Sequence, residues 1–162
     1  MLDPKAYVVE NQFMKFAATP KDVTVKAGMV CVISGSNTVN LPTDPTSIPF
    51  GLLLQDVVNL SFAGNRGRDL NKSYCDFGEP VGVAHSGGIF ETDQYADYGS
   101  NGIAAGSPLY CSVGDGLLTD GYGTLNDVLN DGSVPYVVAI AMGRLSSAAT
   151  TASARLLIKL VI

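Results

Sequence analysis

Eighteen glycines and eight prolines cut this 162-residue chain into short runs of β-branched and aromatic residues, and almost nowhere leave ten positions with apolar residues at helical spacing. A chain punctuated in this way folds into strands joined by turns. The predicted fold class is therefore all-β: a small β-barrel or β-tulip-like domain of short antiparallel strands with long loops and an extended N-terminal arm. The length suits one domain with a real core. We divide it into an arm over residues 1–22 and a single β domain over 23–162, with 61–78 as a loop insertion.

The run Val23-Thr24-Val25-Lys26 leads through Ala27-Gly28 into Met29-Val30-Cys31-Val32-Ile33, which stops at Ser34-Gly35-Ser36-Asn37; this reads as two strands around a turn. Residues 50–59 read as a further strand. Between them, residues 41–49 hold three prolines, which remove ladder donors and predict a surface loop. Residues 79–84 and 88–92 flank His85-Ser86-Gly87 and predict a hairpin whose tip needs glycine. Residues 108–113 and 117–119 predict a second hairpin through Gly114-Asp115-Gly116, and 135–142 and 155–162 a terminal antiparallel pair.

Charged residues make up 15% of the chain and hydrophobic ones 46%. Against a usual charged share of about a quarter, this is a thinly charged surface, which points to an oligomer or a partner-binding face. No apolar run reaches the length of a membrane helix, so no membrane partner is expected. The formal charge of −5 and ten scattered basic residues argue against a nucleic-acid partner, since that affinity comes from clustered Lys and Arg. The first sixteen residues include Asp3, Lys5, Glu10 and Lys15 and show no signal-peptide pattern. Cys31, Cys75 and Cys111 fit neither a disulfide framework nor a metal knuckle, and are expected to be buried thiols.

Chemistry is sparse. The single histidine, His85, has Ser86 beside it and Asp93 nearby, but neighbours on a strand point apart and no Gly-x-Ser-x-Gly elbow presents the serine. The aspartates at 115, 120, 127 and 131, and the group Glu91, Asp93 and Asp97, match no EF-hand spacing and read as turn formers, so no metal site is expected. Gly64-Asn65-Arg66-Gly67-Arg68 lacks the ending of a phosphate-binding loop. Asn59 and Asn71 begin glycosylation sequons, which matter only in a secretory pathway. No cofactor and no catalytic residue is predicted, and the chain is expected not to be an enzyme. Aromatic residues are the better candidates for recognition: Tyr7, Phe13 and Phe16 on the arm, and Tyr95 and Tyr98 in a tyrosine-bearing loop over 94–101.

Five phrases stand in one order along the chain: Val25 to Ile33, an Ala-Gly turn leading into an apolar strand; Phe50-Gly51-Leu52-Leu53-Leu54-Gln55-Asp56-Val57; Pro80-Val81-Gly82-Val83-Ala84; Ala105-Gly106-Ser107-Pro108-Leu109-Tyr110 with Gly116-Leu117-Leu118-Thr119; and residues 139–146 with 156–160. In this order, over residues 23–162, the chain resembles the capsid decoration, or cement, proteins of tailed bacteriophages. The segment 61–78 and the arm depart from that pattern. The resemblance implies a β-barrel or β-tulip fold, a homotrimer, the major capsid protein as partner, and a place on the outer capsid surface of the virion after synthesis in the host cytoplasm. The alternative is a receptor- or glycan-binding module of a head or tail fibre, which the absence of Trp and the 8% aromatic content disfavour.

Overall fold

Two burial patterns build the fold. In the strand Leu156–Leu160, residues 156, 158 and 160 are buried and 157 and 159 turn outward, the period-two signature of a strand with one face in a core. In Val30–Gly35 and Pro49–Leu53, consecutive residues are buried, as they are when both faces of a strand are covered. The computed structural model describes residues 2–6, 10–17, 25–44, 46–58, 74–76, 79–96, 102–114, 116–119, 136–143 and 154–162. Every regular element among these is a strand, as the sequence predicts: β1 (Leu2–Ala6), β2 (Glu10–Phe16), β3 (Val30–Gly35), β4 (Thr38–Asn40), β5 (Pro49–Leu53), β6 (Asp56–Val58), β7 (Tyr74–Asp76), β8 (Pro80–Ser86), β9 (Ile89–Thr92), β10 (Tyr95–Ala96), β11 (Pro108–Cys111), β12 (Leu118–Thr119), β13 (Ala139–Ala141) and β14 (Leu156–Leu160).

Strands β2-β4-β3-β5-β8 close a barrel, and a seven-stranded sheet runs β1-β9-β14-β13-β11-β12-β10; β6 and β7 form a separate parallel pair. Met14, Phe16, Cys31, Val39, Leu53, Val81 and Val83 meet in one core. Their chain neighbours Val30, Leu52 and Ala84 meet Phe90, Leu109, Leu156 and Ile158 in the other. Strands β3, β5 and β8 thus form a wall shared by both cores, which is why their sequences lack alternation. Backbone bonds join the two halves, from the Val30 N–H to the Gly116 carbonyl and from the Gly114 N–H to the Pro42 carbonyl, each 2.7 Å. Gly116 has a φ of +67°, and a Cβ there would lie 2.7 Å from the Val30 carbonyl oxygen, so only glycine permits this junction.

The two C-terminal expectations hold. β11 and β12 pair antiparallel, Cys111 opposite Leu118, and β13 and β14 pair with Ile140 opposite Lys159. Other expectations are corrected. The segment read as an arm supplies two strands: β1 is the edge of the large sheet, where Pro4 is tolerated, and β2 closes the barrel between β4 and β8. Nothing local in the sequence marks this, because the antiparallel partners of these strands lie far along the chain in β8 and β9, and even β4, the parallel neighbour of β2, is not joined to it by a turn. β8 and β9 do not form a hairpin. Gly87 and Gly88, with φ of +68° and +90°, turn the chain out of the barrel and into the sheet, and the neighbours of β8 are β2 and β5. Val25 makes only an isolated bridge to Val57, and the strand expected over 50–59 breaks at Leu54 and Gln55. In the 41–49 loop Leu41 and Pro42 are buried, and Pro49 opens β5 opposite Val32. The expected insertion 61–78 includes β7, and residues 61–73 lie outside the described residues. No cysteine is in a disulfide; Cys31 and Cys75 are buried, while Cys111 is only half-buried.

Candidate interaction surface

Strand alternation decides which predicted contact residues can reach a partner. On β2, Phe13 turns outward with 68% of its surface exposed, whereas Phe16 is 3% exposed among the barrel core residues. Phe16 is thereby corrected from contact residue to core residue. Tyr95 is half-buried against the sheet core, and its hydroxyl donates to the Ala154 carbonyl at 3.2 Å, tying β10 to the segment that enters β14. Its phenol serves the fold. Tyr7 and Tyr98 lie outside the described residues. Among the described residues of that set, Phe13 is the one presented to solvent.

The larger feature was not anticipated. Val32, Ile33, Ser47, Ile48, Pro49 and Phe50 line an open apolar cleft of about 410 Å³ on the barrel. Ile33 and Ile48 at its rim are 56% and 63% exposed. The loop that carries Ile48 is held by Asp44, whose Oδ1 accepts from the Thr46 N–H at 2.7 Å and the Thr46 hydroxyl at 2.6 Å, while the Ser47 N–H donates to the Asp44 carbonyl. The hydroxyl and N–H of Thr46 hold the Asp44 carboxyl below its usual range. Phe50 stacks on His85, with 5.4 Å between ring centroids and 17° between planes. No lining residue is charged, so the cleft suits an apolar group of a partner. A sequence signal existed: Ile48 is a large apolar residue in a proline-rich loop, where no strand alternation supplies a core for it.

The weaker chemical readings find these places. His85 is on β8 against Phe50, whereas Asp93 follows β9 and its Oδ1 accepts from the Gln94 side-chain amide at 2.6 Å. Glu91 faces Arg155 at 3.8 Å. Among the described residues no three His, Cys, Asp or Glu are grouped to hold a metal ion. The aspartates at 97, 115, 120, 127 and 131, the 64–68 loop and both sequons lie outside the described residues. Compared with known proteins, the chain matches no family model and no curated sequence.

Proposed function

We propose that this chain is a capsid decoration protein: it binds as a trimer on the outer surface of an assembled icosahedral phage shell and holds that shell closed. The observation that carries the reading is the uncharged cleft with Ile33 and Ile48 exposed at its rim, on the wall of a closed barrel in a chain with only 15% charged residues. Such a surface suits burial against another protein. The ordered phrases that carry the resemblance also support it, since they overlap β3, β5, β8 and β11 and contain β12, β13 and β14. The mechanism is mechanical. A ligand that binds only the assembled state stabilises it by mass action, about 2.7 kcal/mol per site at a hundredfold excess over Kd. A stable contact buries about 1,600 Å², so the cleft is one anchor within a wider face.

The test is co-sedimentation of the purified protein with capsids stripped of it, scored as copies per particle. The expected result is saturable uptake at a multiple of the three-fold sites, lost when Ile33→Asp and Ile48→Asp are combined. Absence of uptake by shells, with binding to tails or host cells instead, would overturn the proposal in favour of a receptor-binding module. Uptake unchanged by the double substitution would remove the cleft from the contact.

A further inference from the structure

We draw no further inference here: the strongest candidate, the apolar cleft on the barrel between Ile33, Ile48 and Phe50, belongs to the surface already described, and nothing in the structure shows which chemical group covers it.

Discussion

Phe13 and Phe16 lie three positions apart on β2, an odd spacing that sends their rings to opposite faces of the strand. The same truncation should therefore read differently at each. Phe16→Ala empties part of the barrel core and is expected to cost about 3–5 kcal/mol in urea unfolding. Phe13→Ala is expected to stay within about 0.5 kcal/mol of the parent, while weakening particle uptake about tenfold if its ring is a contact anchor. Equal loss of stability in both would mean that Phe13 is packed in solution. Cys31 offers a different test. Burial pushes its thiol from an ordinary 9.0 up to about 12. The folded chain then keeps this proton while the unfolded chain releases it, so the stabilisation is complete below pH 9 and is lost as pH rises towards 12. The slope from this group is at most about 1.4 kcal/mol per pH unit. Cys31→Val should flatten that part of the stability profile by the same amount, and identical profiles would show the thiol to be hydrated.

The N-terminal strands carry the main prediction for the elements. Deleting residues 1–6 removes only the edge strand β1, and the barrel should survive with a reduced unfolding midpoint. Deleting residues 1–17 also removes β2, leaves β4 and β8 without a common neighbour, and should abolish cooperative unfolding followed by circular dichroism. Retention of a sharp transition would restore the arm reading. What was legible in the sequence follows from the same distinction. The β11–β12 pair could be read because a glycine-rich connection joins its partners, and β13–β14 because two long apolar runs stood out. The barrel closure through β2, and the separation of β8 from β9, depend on partners distant in sequence, which periodicity does not encode. The contact surface was legible only in part: an aromatic residue at 13 or 16 looks equally available until strand register assigns its face. The cleft is not legible in the sequence because it is assembled from the middle of β3, the loop entering β5 and the first residues of β5.

At the scale of the whole molecule, the shared wall of β3, β5 and β8 makes the two cores mechanically one. Leu52 and Leu53 are adjacent in the chain, fully buried, and face different cores. Leu52→Ala and Leu53→Ala should each cost about 2–5 kcal/mol and lower a single common unfolding midpoint. Two separated transitions, one sensitive to each substitution, would show that the cores melt independently. The route of the first two strands also governs how the chain is made. As the polypeptide leaves the ribosome, β1 and β2 emerge long before β8 and β9, and at ~5–20 residues per second they wait several seconds for those partners. Pairings of such long range form slowly even once both partners exist. For that interval the nascent chain exposes Met14 and Phe16, which the finished barrel buries, beside Phe13, a sticky stretch that a chaperone or a neighbouring nascent copy can capture before the barrel closes.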